Sequence, residues 1–214
     1  MSSAQDWDQR FLSGGHANPE PDPLLAVSRK YWALLPARNG APNAQPTALD
    51  VACGAGRHAV ALAQAGFAVT AMDFSPEGLR KGAELADQKG VAVDWVEHDF
   101  ENCAPHLGEA PHLGEASDLE QAPSLGENLY DLATVFFYLH RPLFPALGRA
   151  LKPGGLLVYK TYSVDQLRYP GRPSHRMHML EHNELLRAFA GFRVLVYEEE
   201  WEGKGTASLI AQKP

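Results

Sequence analysis

Cysteine is scarce, with only Cys53 and Cys103 in 214 residues, so the chain has no disulfide framework to staple it and a reducing, cytoplasmic setting is expected. Long apolar runs are missing as well. None approaches the roughly 20 residues of a membrane helix, so no membrane partner is expected. The first ten residues, M-S-S-A-Q-D-W-D-Q-R, carry two acids and no hydrophobic region, unlike a secretory signal. Basic residues are in deficit: 19 Lys and Arg face 26 Asp and Glu, for a net charge of −7. A broad nucleic-acid surface depends on cations neutralising phosphates, so no nucleic-acid partner is expected, although a local basic pocket for a small anion is compatible with this balance. Apolar residues make up 45% and charged residues 21%, enough for one α/β domain around one core.

Alternating apolar runs and helical patterns organise the chain. Asp22 and Pro23 read as an N-cap and first helical residue, with helical spacing continuing to about Leu35. Strands are expected at Ala48–Ala52, Phe67–Met72, Val91–Glu97, Tyr130–Tyr138 and Leu156–Thr161. Helices are expected at Arg57–Ala65, from Ser75 to Lys89, at Arg141–Leu151 and at Glu181–Ala190. Lys152–Gly155 reads as a turn, and Val164–Met179 as irregular and basic. Phe192–Glu200 and Thr206–Ala211 form a hairpin around the glycine-bearing Glu202–Gly205. The pattern predicts a Rossmann-like, seven-stranded, mostly parallel sheet with a C-terminal antiparallel hairpin and helices on both faces. Residues 104–127 fall into four hexads with alanine first and leucine fourth. Such a segment buries little surface and reads as an insertion, with Ser117–Glu120 fitting a capping box.

The richest stretch is L-D-V-A-C-G-A-G at Leu49–Gly56, a strand running into a glycine turn ahead of a helix. The next strand ends on Asp73. This is a nucleotide-binding βαβ unit, in which glycines admit the ligand and the acid grips ribose hydroxyls. Gly54–Ala59 also fits the dinucleotide pattern G-x-G-x-x-A, but Asp50 lies four residues before Gly54. A carboxylate there repels a pyrophosphate and attracts the ammonium and sulfonium of an adenosyl amino acid.

With M-D-F-S at Met72–Ser75, H-D-F at His98–Phe100 and L-K-P-G-G at Leu151–Gly155, the chain resembles the class I S-adenosylmethionine-dependent methyltransferases. D-V-A-C-G-A-G-R-H-A, the N-terminal W-D-x-R-F and Tyr159–Tyr162 extend a looser resemblance to the small tellurite-resistance and thiopurine-type enzymes. The resemblance implies a single methyltransferase domain over residues 1–214, with residues 1–46 as an N-terminal lid and helix, and S-adenosyl-L-methionine as cofactor. It places Ala52, Gly54 and Gly56 against the ligand, Asp50 on its amino group and Asp73 on the ribose. Phe74, Ser75, Asp99 and Phe100 fall around the adenine, and Arg57 or Arg10 near the cofactor carboxylate. Tyr138, His140 and Tyr162 fall by the transferable methyl, with His140 as a candidate general base.

The expected acceptor is a small molecule, anionic in one reading because Arg168, Arg172 and Arg176 follow the fifth strand. The sequence has no unmistakable base, which favours a thiol or chalcogen acceptor that is already nucleophilic. His175, His178 and His182 have ligand-like spacing but lack a supporting cysteine or carboxylate pattern, and no metal is expected. Two other readings stay open: an NAD(P)-dependent oxidoreductase, and a non-catalytic cofactor-binding scaffold with the hexads as its partner arm. The oligomeric state does not follow from the sequence.

Overall fold

Alternating strands and helices do wind into one sheet. The computed structural model describes residues 4–14, 18–36, 45–101, 124–171 and 173–214. Its strands are β1 (Thr47–Val51), β2 (Ala68–Asp73), β3 (Asp94–Glu97), β4 (Tyr130–Phe136), β5 (Leu151–Tyr162), β6 (Arg193–Glu200) and β7 (Thr206–Gln212). They lie in the order β3-β2-β1-β4-β5-β7-β6. The pairs among β1 to β5 are parallel, and β7 runs antiparallel to both β5 and β6. The expected hairpin therefore folds back, so that its second strand lies inside the sheet and its first forms the edge.

The helices are α1 (Ala4–Leu12), α2 (Pro23–Ser28), α3 (Arg57–Gln64), α4 (Pro76–Lys89), α5 (Leu143–Ala150) and α6 (Glu184–Ala188). Both sheet faces are covered. Leu49, Val51, Ala133, Val135 and Leu157 pack with residues of α5 and α6 on one side. Ala48, Leu132, Leu156 and Val158 pack with residues of α2, α3 and α4 on the other. All seven residues of β4 are buried, which explains its near-continuous apolar sequence. Strand order reverses between β1 and β4, and in open parallel sheets a ligand binds beyond the carboxyl ends at such a switch point.

Local signals survive where they are self-contained. Asp22 Oδ1 accepts the Leu24 amide at 2.9 Å, and Ser75 Oγ accepts the Gly78 amide at 3.0 Å. Gly90 closes α4 at φ +67°. Tertiary contacts redraw other boundaries. The helix expected to reach Leu35 ends at Ser28 and tightens into 3-10 turns over Arg29–Leu34, with Trp32 edge-on to Phe67 at 4.9 Å. The expected turn at Lys152–Gly155 lies inside β5, because the backbone there pairs with Lys213: Gly154 donates to its carbonyl (2.9 Å) and Gly155 accepts its amide (2.8 Å). Strand β4 stops at Phe136 because Phe137 turns to φ +57°. Most of the hexad segment, with its capping box, lies outside the described residues. Leu125 of the last hexad is buried in the core.

Candidate cofactor and acceptor cleft

A cleft of about 1180 Å³ opens at the carboxyl edge of β1, β2, β4 and β5. Its wall includes Ala52, Gly54, Arg57, Asp73, Phe74, Asp99 and Phe100 on one side and Tyr138 and Tyr162 on the other. Arg10 reaches it from α1. The fold thus gathers most of the residues singled out from the sequence, drawn from six separate segments.

The glycine turn is held by Asp73, whose Oδ2 accepts the Gly54 amide (2.8 Å) and whose Oδ1 accepts the Ser75 amide (2.9 Å). Burial raises the Asp73 pKa, and these amides oppose that rise. Each carboxylate oxygen accepts more than one hydrogen bond, so Asp73 retains acceptor capacity toward the cleft. Ala52 holds φ +54°, a left-handed conformation unfavourable for a residue with a Cβ. Ala52→Gly is therefore expected to stabilise the protein by about 0.5–1 kcal/mol, net of the extra freedom glycine gives the unfolded chain. Thermal denaturation checks this as a rise in Tm of a few degrees.

Four expected site residues have other placements. Gly56 does not line the cleft. It starts α3 at φ +71°, and a Cβ there would overlap the Trp95 ring and approach Gly82, so this glycine serves helix packing. Ser75 is fully buried as the α4 cap and also donates to Asp8. His140 lies just past β4 but outside the wall, and burial lowers its pKa. Asp50 is 1% exposed and sits beneath the turn rather than facing the cleft, so any contact with a ligand runs through an intervening group. Its Oδ1 accepts from Thr134 Oγ1 at 2.7 Å, whereas Oδ2 makes no hydrogen bond of good geometry among the described residues, although the Ala59 amide is near enough to favour the ionised acid. Burial pushes its pKa up to about 7, offset in part by the Thr134 hydroxyl.

Helix α1 packs against α4 beside this site. Asp8 of α1 accepts from the Ser75 hydroxyl and, at 3.3 Å, the Glu77 amide, while Lys81 donates to the Phe11 carbonyl. These contacts place an acid at the start of α4 and a cation at the end of α1, where the helix dipoles favour each. The Phe11 ring is 5% exposed in a socket made by two glycines. A Cβ at Gly54 would come within 3.3 Å of it, and one at Gly78 within 3.0 Å. His58, which lines the cleft, stacks on Phe136 at 3.9 Å and accepts the Asp22 amide at Nε2 (3.1 Å). Burial lowers its pKa to about 3, so it is neutral and carries its proton on Nδ1.

On the other side, burial raises the phenol pKa of both Tyr138 and Tyr162, so both stay protonated near neutrality. Tyr138 donates to Glu101 at 3.4 Å, and the buried Tyr159 hydroxyl donates to the Tyr138 carbonyl at 2.9 Å. The basic segment after β5 departs from expectation. Arg168 pairs with Asp165 (3.2 Å) and Arg176 with Glu181 (2.7 Å), neither lines the cleft, and Arg172 lies outside the described residues. His182 bonds Asp165 (3.0 Å) while His175 and His178 line the wall, so the three do not converge. Phe137 and Lys204 line the cleft too. Phe137 belongs to the same strand end as Tyr138, which the resemblance puts by the transferable methyl, whereas nothing in its local sequence marks Lys204, which arrives only when the hairpin folds back.

Residues 48–113 match a family model described as a methyltransferase domain. No curated protein matches the sequence. Among solved structures, the putative methyltransferase complexed with the Haloferax volcanii Trm112 methyltransferase activator superposes with TM-score 0.64 at 17% identity, covering 98% of each chain. TehB from Haemophilus influenzae gives 0.63 at 15% identity, over 97% of this chain and 67% of that one. A SAM-dependent methyltransferase from Aquifex aeolicus gives 0.59 at 19% identity over 89% of each. At such identities the structural likeness speaks to the fold, and among the described residues no helix is long and apolar enough to cross a membrane.

Proposed function

We propose that the chain is a class I S-adenosylmethionine-dependent methyltransferase that methylates a small-molecule acceptor by in-line displacement, a reading supported by the methyltransferase-domain match and the fold. The domain match and the fold imply S-adenosyl-L-methionine as the cofactor, which when bound supplies an electrophilic methyl group on a positively charged sulfur. The observation that carries the reading is one continuous cleft, joining Asp73 and the Gly54 turn to the aromatic end of β4.

The donor side has the chemistry to fit that cofactor. Asp73 offers its remaining acceptor capacity to the ribose hydroxyls, with Phe74 and Phe100 beside the base and Asp99 toward its amino group. Arg57 and Arg10 supply cations for the carboxylate. Asp50 Oδ2 is a buried acceptor below the turn, suited to an ammonium group reached through an intermediary. Trp7 and Phe11 of α1 exclude water from above.

On the acceptor side, Tyr138 and Tyr162 stay protonated and so are not bases; the Tyr138 hydroxyl already donates to Glu101, which leaves Tyr162 as the hydrogen-bond donor. A thiolate or chalcogen anion suits this arrangement. Its lone pair forms the bond to the methyl carbon as the methyl–sulfur bond breaks, the released electron pair stays on the cofactor sulfur, and no proton has to leave. Titration with S-adenosylhomocysteine and separately with NADP tests the reading. Saturable binding of the first and none of the second is expected, followed by label transfer from the cofactor to thiol or chalcogen acceptors. Tight binding of NADP alone would overturn it.

A further inference from the structure

Asp50 shares a hydrogen bond with a hydroxyl of the neighbouring strand. The register of β1 on β4 sets Thr134 directly beside Asp50, and both side chains are buried at the point where strand order reverses. Thr134 Oγ1 lies 2.7 Å from Asp50 Oδ1 and 3.3 Å from the Leu49 carbonyl oxygen. A hydroxyl has one proton to give and lone pairs to accept with, so it serves either acceptor by turning about its C–O bond. While Asp50 is ionised, the proton points at the carboxylate in a charge-assisted bond. Once Asp50 is protonated, the acid donates to Oγ1 and the hydroxyl proton turns to Leu49. Thr134 thus keeps Asp50 paired in both protonation states with no movement of heavy atoms.

The remaining surroundings hold the two states near balance. Burial is the largest influence and favours the neutral acid. The Thr134 hydroxyl and the Ala59 amide oppose it, the Asp73 carboxylate at the end of β2 reinforces it, and the Arg57 cation of α3 opposes it. Cys53, just past β1, stays a neutral thiol because burial raises its pKa. A cation arriving above the glycine turn therefore decides which state prevails.

From this geometry we infer that Thr134 is a positioning residue for cofactor binding: its hydroxyl follows the Asp50 proton, so that the site takes up the cofactor ammonium and releases one proton in the same step. The released proton passes from Asp50 to solvent, and the ammonium keeps all of its own. The inference rests on the methyl-transfer reading and adds a residue that lies outside the cleft wall.

Calorimetric titration with S-adenosylhomocysteine, repeated in buffers of different ionisation enthalpy, counts the protons released. The wild type should release about 0.7 proton per site at pH 6 and about 0.1 at pH 8. Asp50→Asn should release almost none at either pH. Thr134→Val keeps the shape and removes the hydroxyl, so the midpoint of the pH-dependent rise in affinity should move up by about one unit, with affinity at pH 7 falling about fivefold. Thr134→Ser keeps the hydroxyl and should restore both the midpoint and the proton count. A merely structural role for Thr134 would weaken binding equally at every pH. Binding by the wild type without proton release, an unmoved midpoint in Thr134→Val, or a serine variant that fails to restore the wild-type proton count overturns the inference and leaves the methyl-transfer reading standing. The wild-type and serine counts decide the matter even where the valine variant does not fold. No binding of S-adenosylhomocysteine by the wild type would overturn that reading, and the role of Thr134 with it.

Discussion

Asp73→Ala is expected to lower the affinity for S-adenosylhomocysteine about 100-fold, or about 2.7 kcal/mol. Two effects combine in this loss. The carboxylate is assigned to the two ribose hydroxyls, and hydrogen bonds to a charged group are worth about 1.5–3 kcal/mol each. It also organises the turn itself, since removing it leaves the Gly54 and Ser75 amides without their acceptor and loosens the turn that Phe11 covers. The unliganded protein should therefore lose about 2–4 kcal/mol of stability, from two buried donors left unsatisfied. Calorimetric titration and denaturant unfolding read the two effects separately. Asp73→Asn keeps the size and one acceptor oxygen, so it should recover part of the stability and little of the affinity. Unchanged affinity in Asp73→Ala would remove the ribose assignment.

Asp50→Asn should act in opposite directions on stability and on binding. The folded protein holds Asp50 at a pKa of about 7 against an ordinary value of 3.8. Below about pH 4 both folded and unfolded chains carry it protonated, and its contribution to stability is fully present. As pH rises through 7 the folded chain must ionise a buried carboxylate, and that contribution is lost. The gap between the two values bounds the loss at about 4 kcal/mol. At pH 8 the asparagine variant escapes this cost but buries an unpaired amide, for a net gain of about 1–2 kcal/mol and a Tm higher by several degrees. By pH 5 the advantage should vanish. Cofactor affinity moves the other way, because an ammonium group favours the ionised acid. Wild-type affinity for S-adenosylhomocysteine should rise between pH 6 and 8, and the variant should lack that rise. A Tm difference independent of pH would show that Asp50 does not titrate in this range.

The first βαβ unit was the most legible part of the chain. Strand, glycine turn, helix and terminal acid lie within about thirty residues, and each depends on local rules of apolar runs, caps and positive-φ turns. The same locality explains the correct placement of the Asp22 and Ser75 caps and the Gly90 stop. Sheet order was legible in outline, because buried parallel strands joined by helices and closed by a hairpin leave few topologies.

The sequence by itself determined the fold class, the glycine turn after β1 and the acids that flank it, because their signals come from neighbouring residues. Tertiary structure decided how those residues divide the work. It turned Gly56 toward Trp95 and Asp50 into the interior, left Gly54 and Asp73 at the cleft, and packed α1 beside them through Asp8, Phe11 and Lys81. It paired Arg168 and Arg176 with acids of their own segment and brought Lys204 over Phe137 from far along the chain. Side-chain direction, burial and charge pairing are set by contacts between distant segments, and local spacing carries no record of them.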